Sequence, residues 1–223
     1  MPMNILIIGA SRGIGFEFVR QYREAGARVT ATARDEAGIA RLQQLGAEAF
    51  ALDVTDTASA SGLAWRIDGH AFDVVVVNAG VLGPRLAAPQ TPSEADFDAV
   101  MHTNVLGAMR VLPQVMESLA PGAKLAVLSS RMGSIGLRSS GSSWLYRASK
   151  AALNSVLKDM SFALAGRATC VAFHPGWVRT DMGGSSADIS VEQSVADMRR
   201  TLAALQPSEN GSFLNHDHQP LAW

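Results

Sequence analysis

Short runs of β-branched and other apolar residues alternate along this chain with longer stretches in which apolar positions recur every three or four residues. The short runs at 4–8, 28–32, 49–52, 74–77, 124–128 and 169–173 predict strands. The longer stretches at 13–25, 36–45, 58–67, 94–118, 145–164 and 191–205 predict helices. Asp35 or Thr55 offers an N-cap oxygen, and Gly26 and Gly46 stand where helices end. Val74 to Val77 is apolar at every position, which fits a parallel sheet covered on both faces rather than a strand with one wet side. Strands separated by helices require crossover connections. The pattern therefore predicts an α/β chain: a doubly wound parallel sheet of about seven strands with helices on both faces, in one domain over 1–223.

Composition narrows the function. With 48% hydrophobic and 17% charged residues, the 223-residue chain has enough apolar material for one generous core. A net charge of -1 and 6% aromatic residues leave no basic stripe with stacking side chains, so no nucleic-acid partner is expected. Met1-Pro2-Met3-Asn4 carries no basic segment and the apolar run behind it stops at Gly9, which predicts a cytoplasmic protein with no membrane partner. The single cysteine, Cys170, rules out an intrachain disulfide and reads as a small buried hydrophobe. His216 and His218 lack a third ligand, so they read as solvated loop residues and no metal is expected. Ser185, Ser186 and Ser194 have no adjacent histidine to make a hydrolase nucleophile.

The first predicted strand runs into Gly9-Ala10-Ser11-Arg12-Gly13-Ile14-Gly15 and then an amphipathic helix. Glycines there let main-chain amides approach a pyrophosphate, and the helix N-terminus faces the anion with unpaired N–H groups and its dipole. At the end of the second strand, where NAD-binding folds carry an acid for the ribose hydroxyls, the chain has Ala33 and Arg34. Arg34 and Arg12 suit the 2′-phosphate of NADP, so NADPH is expected over NADH, with Asp35 read as a helix cap. Asp53-Val54 stands where a carboxylate could accept the adenine amino group, and Asn78-Ala79-Gly80 ends the fourth strand with small residues that let the chain pass close to a cofactor.

Tyr146 and Lys150 stand four apart in a predicted helix, hence on one face. At roughly 4 Å and an effective dielectric near 20 their attraction is worth about 4 kcal/mol. That is enough to bring a phenol from about 10 toward neutrality and make it an acid–base group. A tyrosine and lysine spaced by chance on a helix surface meet the same pattern.

Gly9-x-x-x-Gly13-x-Gly15, Asp53, Asn78-Ala79-Gly80, Asn104, Ser129-Ser130, Tyr146-x-x-x-Lys150 and Pro175-Gly176, in this order, resemble the short-chain dehydrogenase/reductase family over nearly the whole chain. Ser129 to Ser134, His174 to Gly184 and the ending Pro220-Leu221-Ala222-Trp223 are similar to its bacterial C-factor and sniffer-type carbonyl reductase branch. The resemblance implies that Ser130 binds the substrate carbonyl and Tyr146 protonates it as hydride arrives from the nicotinamide. Lys150 is implied to lower the Tyr146 pKa and hold the nicotinamide ribose. Asn104 is implied to bend its helix around a water, and Val178 and Thr180 to bind the carboxamide beyond Pro175 and Gly176. Two departures are Ile8 and Val77, where the family has polar residues, and these predict looser local hydrogen bonding. Ser130 also lies 16 residues before Tyr146, a longer loop than is usual.

Loops at about 81–92, 131–143 and 176–190 should project at the carboxyl edge of the sheet, where they offer Leu82, Leu86, Met132, Ile135, Trp144, Trp177 and Met182. Such walls suit a mainly apolar carbonyl compound. The expected activity is NADPH-dependent reduction of a ketone or aldehyde, reversible as alcohol oxidation. The alternative is an NADP-binding signalling or regulatory protein with little turnover. The short stretch beyond Gly176 leaves no room for the larger substrate domain of a sugar-nucleotide epimerase. Helices 94–118 and 145–164 are the family's pairing surfaces, so a homo-oligomer is plausible.

Overall fold

The computed structural model describes residues 2–85, 87 and 89–223, so Leu86 of the expected substrate wall lies outside the described residues. Seven strands, β1 (Asn4–Ile8), β2 (Arg28–Ala33), β3 (Glu48–Ala51), β4 (Phe72–Val77), β5 (Leu119–Leu128), β6 (Ala168–His174) and β7 (Ser212–Asn215), form one sheet in the order β3-β2-β1-β4-β5-β6-β7. Every neighbouring pair is parallel. The strand order reverses between β1 and β4, and a crevice opens outside the carboxyl ends of the strands there.

The uninterrupted apolar runs are explained by burial on both faces. Leu6, Ile8, Val75, Val77, Leu125 and Val127 face one core, and Ile5, Ile7, Val74, Val76, Ala126 and Leu128 face the other. Each fully buried Leu, Ile or Val side chain contributes roughly 1.5–3 kcal/mol. Helix α1 (Gly13–Glu24) buries Gly15, Phe18, Val19 and Tyr22, one stripe at helical spacing, over the second core. Asp35 caps α2 (Glu36–Gln44), its Oδ1 accepting from the Gly38 amide at 2.6 Å.

The predicted helix 58–67 is two short pieces, α3 (Thr57–Ser61) and α4 (Leu63–Arg66), divided at Gly62, and its cap is Asp56 rather than Thr55. The predicted helix 94–118 is α5 (Glu94–Met101), a π-helical turn His102–Leu106, α6 (Gly107–Val115) and a 3₁₀ turn Met116–Ser118. α7 (Trp144–Ala163) and α8 (Val191–Ala204) complete the two layers. Among the described residues no helix is long and apolar enough to cross a membrane.

The histidine reading is corrected. His216 Nδ1 lies 2.9 Å from Asp197 Oδ2 and His218 Nε2 lies 2.7 Å from Glu209 Oε1, so each ring is tied to a carboxylate on a different element instead of standing in solvent. Cys170 is fully buried and its thiol is pushed up to about 12 by burial.

Candidate active site

A cleft of about 280 Å³ lies at the carboxyl ends of the central strands, lined by Gly9, Ser11, Arg12, Gly13 and Ile14 of the first turn and by Arg34, Asp53, Val54, Asn78, Ala79, Gly80 and Thr180. Side-chain oxygens of Asp35, Ser93 and Ser190 cap α2, α5 and α8, but Arg12 at the start of α1 supplies no side-chain cap. The first amides of α1 therefore face the cleft with their N–H groups and the positive end of the helix dipole. A β-carbon at Gly15 would collide with the Gly9 carbonyl oxygen and fall 2.6 Å from Asn78 Nδ2, so the helix can start against the strand ends only with glycine there. Asn78 Nδ2 donates to the Gly9 carbonyl at 2.5 Å and ties the first turn to the end of β4. This open helix start, the glycine clearances and the Arg34 cation fit the phosphates of a dinucleotide.

Three expectations at this end change. Ile8 and Val77 are buried register partners, and no hydrogen bonding is loosened beside them. The Thr32 hydroxyl accepts from the Gly9 amide at 3.0 Å, and the Ile8 carbonyl accepts from the Asn78 and Ala79 amides at 2.9 and 3.2 Å. Arg12 lines the cleft, but its guanidinium lies 2.7 Å from Asp181 on the facing loop, whereas Arg34 lines the same cleft at the end of β2. Pro175, Gly176 and Val178 do not line the cleft. Pro175 O accepts from Ser194 Oγ at 2.6 Å, Gly176 takes φ 87°, and Val178 is buried and bridged to Ile189, so these three shape the turn that presents Thr180.

Asp53 Oδ1 accepts from the Thr55 amide and hydroxyl at 2.9 and 2.7 Å. Its carboxyl is held below the usual range: burial pushes it up, and the Thr55 hydrogen bonds and the nearby Arg34 and Arg110 charges outweigh that.

A corner of buried polar side chains stands behind Gly80. A β-carbon on Gly80 would lie 3.3 Å from both Asn104 Oδ1 and Lys150 Nζ, so this glycine is where the cleft meets the buried polar side chains. Asn104 sits in the π-helical turn and turns its amide inward. Its Oδ1 accepts from Val81 N at 2.8 Å, and its Nδ2 donates to Val81 O at 2.8 Å and to Ser149 Oγ at 2.9 Å. Ser149 Oγ donates to the Tyr146 carbonyl at 2.8 Å. The chain Val81–Asn104–Ser149–Tyr146 thus fixes the loop after β4 to the first turn of α7. Ser149 was not singled out from the sequence. Its place between Tyr146 and Lys150, on the helix face that turns inward, is the signal that could have found it.

Lys150 Nζ donates to the Leu128 carbonyl at 2.7 Å and lies 5.7 Å from the Tyr146 ring centroid. Burial pushes the Lys150 pKa down to about 8. Burial also pushes the Tyr146 phenol up to about 12, with hydrogen bonding to the Ser130 side chain acting the other way. This runs against the expected phenol near neutrality, because burial favours the uncharged phenol and the Ser130 hydrogen bond only partly offsets it. The result is a phenol that stays protonated beside an amine that titrates in the alkaline range. Ser130 starts the 3₁₀ turn Arg131–Gly133, its Oγ accepting from the Met132 amide at 3.1 Å, so the longer loop still returns this serine to Tyr146.

Residues 3–189 match the family model described as short chain dehydrogenase. The C-signal protein of Myxococcus xanthus is 37% identical over 154 residues, covering 68% of this chain and 92% of that protein. Among solved structures, a carbonyl reductase from Pseudomonas aeruginosa PAO1 in complex with NADP aligns with a TM-score of 0.86 at 32% identity over 100% of both chains. The carbonyl reductase Sniffer of D. melanogaster aligns with a TM-score of 0.87 at 30% identity, again over 100% of both chains.

Proposed function

Because this chain belongs to the short-chain dehydrogenase family, on its C-factor and sniffer-type branch, we propose that it is an NADPH-dependent oxidoreductase reducing a ketone or aldehyde to an alcohol, with Tyr146 as general acid. The observation that carries this reading is the convergence of Ser130, Tyr146, Lys150 and Asn104 on the buried corner behind Gly80, at the end of a cleft built for a dinucleotide. Gly9, Ser11, Gly13 and Ile14 would hold the pyrophosphate, Arg34 the 2′-phosphate, Asp53 and Val54 the adenine, and Thr180 the carboxamide, on the turn that Val178 shapes. Bound there, NADPH supplies the hydride.

The protein's own residues do the rest. Ser130 hydrogen-bonds the carbonyl oxygen and holds it against the phenol. Tyr146 gives that oxygen its proton as the carbonyl carbon gains hydride, which leaves a phenolate. The Lys150 ammonium stabilises that phenolate and is itself held by the Leu128 carbonyl. The reverse direction oxidises an alcohol with the same groups exchanging roles. Burial of the corner strengthens each of these interactions over its value in water.

The NADP complex of the similar Pseudomonas reductase and the Arg34 cation support NADPH over NADH. The likeness to C-signal favours a second reading, an NADP-binding regulatory protein with little turnover. One experiment separates the two: NADPH and NADH titration followed by a panel of small aromatic and aliphatic ketones and aldehydes. The reductase reading expects NADPH-dependent carbonyl turnover. Tight NADP binding with no turnover across the panel would leave the regulatory one.

A further inference from the structure

The stretch after β7 reaches the loop beyond Ser130 by a route the proposed chemistry does not use. β7 is the last strand of the sheet, and the chain turns back along its open edge. His218 takes φ 74°, the Asn215 amide donates to the Gln219 carbonyl at 2.8 Å, Leu214 bridges Pro220 antiparallel, and the Leu221 amide donates to the Phe213 carbonyl at 2.8 Å. The Trp223 ring stacks on Phe213 with centroids 5.4 Å apart. This return delivers two main-chain carbonyls to the loop beyond Ser130. Ser134, fully buried, donates its hydroxyl to the Ala222 carbonyl at 2.7 Å, with the Trp223 carbonyl at 3.3 Å, and accepts from the Leu137 amide at 3.0 Å. The Gly136 amide donates to the Trp223 carbonyl at 2.9 Å.

On its other side the same turn is pressed against α7. A β-carbon on Gly133 would lie 2.7 Å from the Lys150 carbonyl carbon, so only a glycine lets the turn sit this close to the catalytic lysine. The loop that begins at Ser130 is therefore held at two places, at Gly133 by the α7 backbone at Lys150 and at Ser134 and Gly136 by residues 222–223. We propose that residues 220–223 belong to the active site as a clamp, with Ser134 as the positioning residue that transmits the hold to Ser130. The kinetic consequence rests on the reductase reading; the mechanical one does not. A serine that must sit within hydrogen-bond reach of a carbonyl oxygen loses rate when its turn loosens, because small misplacements of a reacting pair are costly.

The test uses the full chain with NADP(H), Ser134→Ala, and a chain ending at Leu221. Carbonyl turnover by the full chain is read first, and its absence would contradict the reductase reading alone. Hydrogen exchange at the Gly136 and Leu137 amides then judges the clamp without reference to turnover: faster exchange in both variants is expected, and unchanged protection would overturn the proposal. With turnover present, kcat should fall tenfold or more in both variants while KM for NADPH stays within twofold. Loosened amides with kcat within twofold of the full chain would reduce the segment to a cover for the β7 edge and overturn its place in the site. Should either variant not fold, Gly136→Ala removes no group, and its β-carbon would press on the Trp223 carbonyl at 3.3 Å. A fall of kcat by a few fold at constant KM for NADPH is expected there, and an unchanged kcat would count against the clamp.

Discussion

The cleft and the buried polar corner are adjacent, but they are made of different material. The cleft is built from main chain: an uncapped helix start, glycines whose absent β-carbons open the space, and a Gly9 peptide tied by Asn78 at its carbonyl and by Thr32 at its amide. The corner is built from side-chain atoms: a phenol, an ammonium, an amide and two hydroxyls locked by buried hydrogen bonds. The cleft should therefore be sensitive to atoms added, and the corner to atoms removed. Gly80 is the boundary, facing the cleft on one side and Asn104 and Lys150 on the other.

The largest effect should come from the corner. Tyr146→Phe removes one oxygen and should lower carbonyl turnover by about 10²–10⁴-fold, the usual worth of a positioned general acid. NADP affinity, measured by fluorescence titration, should stay within about twofold, since the phenol is not among the residues lining the cleft. Equal losses in turnover and affinity would erase the division between the two regions. At the cleft, Gly15→Ala adds one carbon where the Gly9 carbonyl stands, and overpacking of that kind costs about 1–3 kcal/mol. Lower thermal stability together with weakened cofactor binding is expected, and an unperturbed variant would show that the helix start can shift.

The pH dependence follows from Lys150. Its pKa is lowered to about 8, so its charge is present below that pH and lost as pH rises through it, whereas Tyr146, pushed up to about 12, stays protonated across the same range. kcat/KM for NADPH, which reports the free enzyme, should fall above about pH 8. A profile flat through the alkaline range would remove the ammonium from the account. Smaller again, Arg34→Ala should raise KM for NADPH by about 10- to 100-fold, the worth of a hydrogen bond to a charged group, and leave NADH little changed. The smallest effect belongs to Asp181→Asn, which frees Arg12. An exposed pair contributes about 0–1 kcal/mol, so NADPH affinity should move by at most a few fold.

The same division accounts for what was legible in the sequence. The main-chain half could be read because glycines at fixed spacing between a strand and a helix mark a close approach of backbone to an anion, and the continuous Val74–Val77 run matched a sheet covered on both faces. β7 was missed because Ser-Phe-Leu-Asn is short and polar at both ends, and it becomes a strand only by pairing with β6. Residues 94–118 read as one helix because a π-helical turn keeps helical periodicity, with the interruption set by where the Asn104 amide finds its partners. The Tyr146 and Lys150 spacing was legible, but their protonation was not. Burial enters no helical wheel, and here it favours the uncharged form of both groups. Thr32, Ser149 and Ser134 escaped notice for a related reason: single hydroxyls in strands, helices and loops acquire meaning only from distant partners in the fold.

The central claim is that hydride passes from a cofactor in the cleft to a carbonyl held at the corner. Turnover with NADPH deuterated at the transferable position, followed by mass spectrometry of the product, tests it most directly. The account predicts one deuterium on the carbinol carbon with wild-type protein, and the same label formed about 10²–10⁴-fold more slowly with Tyr146→Phe. Bound NADPH that is never oxidised by any carbonyl, or product formed without deuterium, would contradict it.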